Sequence, residues 1–181
     1  MVLWKQIDYI ITMENRKNRI EGKVRNVDYI TEHDIYLLKE GSHYRLYDKL
    51  GAHIMINGKE NGATFALWAP NAENVSVTGD FNGWDRKSHS LNVRQDGSGI
   101  WEGFIPGIEQ GDIYKYHIQS RHNNFKADKG DPFAFYWEQP PKTASVVWEL
   151  NYQWNDSDWM ANRHKHNSLN APFSVYEVHL G

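Results

Sequence analysis

Apolar and polar positions alternate most strictly at Val75-Ser76-Val77-Thr78 and again from Ile113 to Gln119. In the second run Tyr114, Tyr116 and Ile118 take one parity and Lys115 and His117 take the other. A period of two marks a strand with one buried face, so the aromatic parity turns to the core and Lys115 is displayed on the sheet surface. His53–Ile56, Thr64–Ala69, Leu91–Val93, Ile100–Ile105 and Ala144–Trp148 are further short runs of β-branched and aromatic residues, separated by Gly, Asn, Asp or Pro. No helix-length periodicity interrupts them between Ala52 and Glu149. The pattern predicts an all-β domain, an immunoglobulin-like β-sandwich of about seven strands.

The flanks read differently. Thr31 is a good N-cap with Asp34 three residues on, before Ile35-Tyr36-Leu37-Leu38 and a stop at Gly41, which predicts a short helix with a weaker relative of the capping box. His43 to Gly51 predicts a second helical turn ending at glycine. Residues 1 to 30 predict a short helix or arm packed on the body, with the five Lys or Arg between Glu14 and Arg25 forming a solvated basic face. After Glu149, Tyr152 to His166 is rich in Trp and Asp, with a helix opening at Asp156 or Ser157. Leu169 to Phe173 reads as a linker, and Ser174 to Leu180 as a buried strand with nothing to pair with. Such a strand suggests a chain cut from something longer, and an unpaired edge of this kind is expected to fray or to pair out of context. The expected organisation is an N-terminal arm with short helices (1–51), the sandwich (52–150), a linker (151–172) and the terminal strand (173–181).

The composition narrows the chemistry. The 181 residues carry 20 basic and 23 acidic side chains, a balance that argues against gripping nucleic acid or an anionic membrane by bulk electrostatics. Zero cysteines remove disulfides, thiolate metal sites and cysteine nucleophiles together. The longest unbroken apolar runs, Phe65–Ala69 and Phe133–Trp137, fall far short of the ~20 residues that span a bilayer, and no signal peptide is visible. The expectation is a soluble, cytoplasmic protein with no nucleic-acid or membrane partner. Histidines are scattered without ligand spacing, His164-Lys165-His166 being the nearest pair, so no metal site is expected. There is no phosphate-cradling glycine loop, no cofactor motif and no recognisable catalytic constellation.

Aromatic residues make up 14% of the chain, and Trp84 is the most informative of them. It follows Gly79-Asp80-Phe81-Asn82-Gly83, where Asn82-Gly83 makes a tight turn cheap because both tolerate positive φ. That turn sets Trp84 either as a staple to the core or as a flat ring for stacking on the apolar face of a sugar, with Lys115 a plausible hydrogen-bond donor.

The run Thr64-Phe65-Ala66-Leu67-Trp68-Ala69-Pro70-Asn71-Ala72, followed by Val75 to Trp84, resembles the carbohydrate-binding module family 48 domain. Tyr44–His53, Gly99–Gly107, Asp131–Phe135, Pro141–Trp148, Trp159-Met160-x-x-Arg163 and Ser174–Gly181 extend the likeness, over roughly Tyr44 to Gly181, to the amino-terminal part of the 1,4-α-glucan (glycogen) branching enzymes. That resemblance implies a glucan-binding sandwich followed by the first strand of a (β/α)8 barrel, of which a complete copy needs about 250 residues. It implies an enzyme that cleaves α-1,4-glucan and passes the chain to a 6-hydroxyl, whose catalytic residues lie outside these 181 residues, so that the fragment itself is inactive. The implied partners are α-1,4-glucans (glycogen, amylose, maltooligosaccharides) and the missing barrel, with no cofactor.

By the same resemblance the glucan-binding residues are Trp84, Lys115 and Phe125. Relatives that sense glycogen carry Trp near Phe125 and an asparagine donor near Ser145. The smaller ring and shorter polar group imply weak binding of single chains, millimolar to high-micromolar, from stacking contacts of ~0.5–1.5 kcal/mol each. Two alternatives remain at this point: a non-enzymatic glycogen-binding regulatory module, and the N-terminal module of a debranching or trehalose-forming enzyme. A sandwich that only braces the barrel is a third use of the same fold.

Overall fold

The computed structural model describes Ile20, residues 23–166 and residues 168–180. It divides into two units, Met1–Glu149 and Leu150–Gly181. The larger unit holds α1 (Glu32–Glu40) and nine strands: β1 (Gly51–Asn57), β2 (Glu60–Trp68), β3 (Ala72–Gly79), β4 (Asn92–Val93), β5 (Ile100–Pro106), β6 (Ile113–Ser120), β7 (Lys126–Lys129), β8 (Tyr136–Trp137) and β9 (Ser145–Val146). Single 3-10 turns occupy Leu46–Asp48 and Asp80–Asn82.

Two antiparallel sheets form the sandwich. One runs β1-β2-β5-β4, and the other runs β3-β6-β9-β8 with β7 also on β6. The alternation of β6 puts the Tyr114 and Tyr116 rings into the space between the sheets, where both are fully buried. Val75 and Val77 of β3 join them from the same sheet, and Phe65, Leu67, Trp101 and Ile105 close the core from the other. Phe65 meets Tyr114 edge-on at 5.1 Å between ring centroids. Such aromatic pairs add about 0.5–1.5 kcal/mol beyond the area they bury.

The N-terminal segment is an outer layer rather than a loose appendage. Ile30, Ile35 and Leu50 pack with Ala66 and Ile100 in a second core on the far side of the first sheet. The Thr31 capping box forms in full: the Thr31 hydroxyl accepts from the Asp34 N–H at 3.2 Å, and the Asp34 carboxylate accepts from the Thr31 N–H at 2.8 Å. Gly41, in the left-handed region, ends the helix. The predicted second helical turn is the 3-10 turn Leu46–Asp48. Of the predicted N-terminal arm, residues 1–19 and 21–22 lie outside the described residues; Arg25 pairs antiparallel with Phe104 through 2.7 and 2.9 Å backbone bonds.

Each of the seven strands expected from the sequence is present. The two that were not expected are β7, whose Lys-Ala-Asp-Lys carries almost no apolar signal, and β8, two residues within a longer aromatic run. Both are held by backbone pairing, to β6 and β9 respectively.

The smaller unit contains α2 (Ser157–His166), which opens where the sequence indicated and buries no side chain. The strand expected at Ser174–Leu180 does not form: residues 174–180 take no strand pairing, and Val175, Tyr176, Val178 and Leu180 are exposed. The physical reason is that a strand needs a partner for its backbone groups, and among the described residues of this unit no other strand exists.

Candidate functional site

The site originates in how β6 shares its edges. Along one edge β3 pairs with it from Gly79↔Tyr114 to Ala72↔Ser120. On the other edge β9 pairs only at Ile113 and Tyr114, while β7 pairs from Tyr116 to Gln119. Lys115 therefore stands at the fork where β7 leaves and β9 arrives. The segment between those strands is pinned by Asp131, which is fully buried. Its carboxylate accepts from the hydroxyls of Tyr114 at 2.5 Å and Tyr116 at 3.2 Å and from the Phe133 N–H at 2.8 Å. The Asp131 N–H in turn donates to the Ser145 hydroxyl at 2.8 Å. Burial pushes the Asp131 carboxyl above its ordinary pKa against those hydrogen bonds, and raises both tyrosines as well.

Across β6 from the fork, β3 ends at Gly79 and the chain turns through Asp80–Asn82. Phe81 plugs the core with no exposed surface. Asn82 is a hub: its Oδ1 accepts from the Gly79 N–H at 2.9 Å, and its amide nitrogen donates to the Val77 carbonyl at 3.1 Å. The left-handed residues of this turn are Gly83 (φ 61°) and Trp84 (φ 60°), not Asn82 and Gly83 as the dipeptide suggested. The shift has a cause, because Asn82 is drawn into the 3-10 turn by its side-chain bonds, so the reversal falls one residue later. A positive φ is uncommon for a residue with a Cβ and is held here by the Trp84 N–H bond to the Gly79 carbonyl at 2.8 Å.

The result brings Trp84 and Lys115 together. The Trp84 indole is 37% exposed, neither a core staple nor fully free, and its N–H donates to the Asp80 carboxylate. Lys115 Nζ donates to the Thr143 hydroxyl at 2.7 Å. Both line an open depression of about 350 Å³, whose remaining walls are Asp80, Ile113, Glu138, Lys142, Thr143 and Ala144. Glu138 and Lys142 are ion-paired at 3.2 Å. The depression thus offers one aromatic plane ringed by a carboxylate, an ammonium and a hydroxyl, the combination that suits a ring with an apolar face and polar edges.

Two sequence-indicated positions do not join this pair. Phe125 is exposed, but it sits in the β6–β7 hairpin with its carbonyl bonded to the Ser120 N–H. Ser120 lies about five strand residues, or ~17 Å, from Lys115 and on the opposite parity. Phe125 lines neither this depression nor the neighbouring groove. Ser145 is fully buried and turned to Asp131, so it presents no donor to the surface. Sequence reasoning missed Thr143, Glu138 and Asp80, which reach the site through the fork and the turn.

Among the described residues no group of three or more His, Asp or Glu is placed to hold a metal ion. No described helix is long and apolar enough to cross a membrane.

Comparison with known proteins adds an independent line. Residues 49–134 match the carbohydrate-binding module 48 family, the isoamylase N-terminal domain. The 1,4-alpha-glucan branching enzyme GlgB of Albidiferax ferrireducens is 55% identical over 151 residues, 83% of this chain and 24% of that protein. Its counterpart from Aquifex aeolicus is 52% identical over 159 residues, 87% of this chain and 25% of that protein. The chain thus spans about a quarter of the length of these relatives. Ligand-free PulA from Klebsiella pneumoniae is a solved structure of similar form, with TM-score 0.46 and 23% identity over 58% of this chain and 10% of that one.

Proposed function

We propose that this chain, a carbohydrate-binding module 48 sandwich with the sequence of the amino-terminal region of the 1,4-α-glucan branching enzymes, holds α-1,4-glucan on the outer face of its second sheet. The observation that carries the reading is the pairing of a half-exposed Trp84, in an uncommon left-handed conformation, with Lys115 in one depression. A glucose ring stacks on the indole, while its hydroxyls bond Lys115 and the carboxylates of Asp80 and Glu138. In the full-length protein the module would position glucan for a barrel that cleaves an α-1,4 bond and transfers the chain to a 6-hydroxyl. The 181 residues themselves carry no catalysis in this reading. Tyr136 and Trp148, exposed and with ring centroids 5.0 Å apart, suit a second task, bracing that barrel.

Affinity electrophoresis in glycogen tests the binding reading. The parent chain is expected to be retarded, and Trp84→Ala to migrate at least as fast as in a gel without glycogen, with its circular dichroism unchanged. Equal retardation of parent and variant would refute a stacking role for Trp84. Because single-site affinity is weak, retardation depends on the many equivalent chain ends of the polymer.

A further inference from the structure

The outer face of the second sheet continues beyond Lys115. His117, two residues along β6 on the same face, lies about 7 Å away. There a groove of about 530 Å³ opens, lined by Asn74, Arg86, His117, Gln119, Lys126 and Asp128 together with Lys87, Ser90 and Ala127. Arg86 follows Trp84 by two residues, so one loop walls both depressions. The groove contains no aromatic ring and no large aliphatic side chain. Its lining is amide, imidazole, guanidinium, ammonium, hydroxyl and carboxylate.

Asp128 organises these groups. Its Oδ2 accepts from Arg86 Nη2 at 2.7 Å, and its Oδ1 accepts from Arg86 Nε at 3.1 Å and pairs with His117 Nδ1 at 2.7 Å. Arg86 foremost, with His117 beside it, holds the Asp128 carboxyl below the usual range. With Nδ1–H donating to Asp128, His117 keeps Nε2 as an acceptor on the other side of the ring. The Gln119 amide is oriented by its bond to Glu73 at 2.8 Å. Planar donors and acceptors already fixed in place match adjacent hydroxyls of a sugar. A bare anion would meet the Asp128 and Glu73 carboxylates at close range.

We infer that this groove is a second subsite of the same glucan face, taking further glucose units of a chain whose first units rest on Trp84 and Lys115. The inference rests on the reading of that first depression given above. It assigns His117, Arg86 and Asp128 to recognition by hydrogen bonding rather than stacking, and it makes binding depend on chain length.

An amide and indole NMR titration of the full chain with maltotriose, maltoheptaose and inorganic phosphate separates the outcomes. Maltotriose is expected to move the Trp84 indole and Lys115 amide signals. Maltoheptaose is expected to move those of His117, Gln119 and Lys126 as well, and to bind about fivefold tighter, the gain of roughly one net hydrogen bond. In His117→Ala that gain disappears while maltotriose affinity stays; Gln119→Ala, an exposed position, gives the same reading should the first variant misfold. Trp84 shifts with no movement in the groove, or no length gain, would overturn the second subsite and leave the first intact. Phosphate moving the groove where maltoheptaose does not would overturn it in favour of an anion site. Absence of any Trp84 shift would overturn the first depression and, with it, the continuous track.

Discussion

Replacing Asp131 with alanine is expected to lower folding stability by about 3 kcal/mol. The substitution strands two tyrosyl hydroxyls and the Phe133 N–H, three donors that the carboxylate now satisfies inside the sandwich. Each buried polar group left unpaired costs about 1–3 kcal/mol, offset in part by relief from burying a carboxyl. Against a total stability of about 5–15 kcal/mol this is a large loss. A urea titration should show a lower midpoint with an unchanged slope. A midpoint within error of the parent would mean that the network contributes nothing net. Asp131→Asn should lose less, since its carbonyl keeps one side of the network.

The pH dependence follows from the direction of the shift. Burial raises the folded-state pKa of Asp131 above its unfolded value, so the folded chain holds that proton more tightly. The stabilisation from this linkage is fully present below the unfolded pKa and is lost as pH rises through the folded one. The parent's advantage over Asp131→Asn should therefore be greatest in acid and shrink as pH rises out of the carboxylate range. An advantage that grows with pH would mean that the ionised form is the better fit.

Gly79→Ala is expected to be comparably damaging, by about 3 kcal/mol, and to remove glucan binding with it. A Cβ at Gly79 would lie 2.1 Å from the Ile113 backbone carbonyl and 2.6 Å from the Phe81 ring. The carbonyl belongs to β6 and cannot rotate away, so β3 and β6 must part or Phe81 must leave the core. Either movement disturbs the carbonyl of residue 79, which holds Trp84, and the pairing with Tyr114 beside Lys115. Urea unfolding and glycogen retention should fail together. A stable variant that still binds would show that the turn tolerates displacement and that Trp84 is not set by it.

Much of this architecture was legible because it is local. Thr31 and Asp34 lie three residues apart, and their reciprocal bonds form as the spacing indicated. The two parities of Ile113–Gln119 separated the buried tyrosines from Lys115 without any structure. The fork in β6 was not legible, because it depends on where β7 and β9 register against one strand, and β7 carries no apolar pattern. The Arg86–Asp128–His117 cluster was hidden for a related reason. Its members are 42 and 11 residues apart and meet only once β6, β7 and the Trp84 loop are in place. The Asn82-Gly83 dipeptide announced a reversal but not its phase, which Asn82's own side chain decides. Resemblance supplied positions without orientations: Ser145 proves to face the core, and Phe125 stands apart on the hairpin.

The most direct test of the glucan-holding face is a crystal structure of the chain grown with maltoheptaose. A glucose ring lying flat on the Trp84 indole, with a hydroxyl within hydrogen-bond distance of Lys115 Nζ, is the expected result. An ordered sugar elsewhere on the sandwich, with the Trp84–Lys115 depression empty, would contradict it.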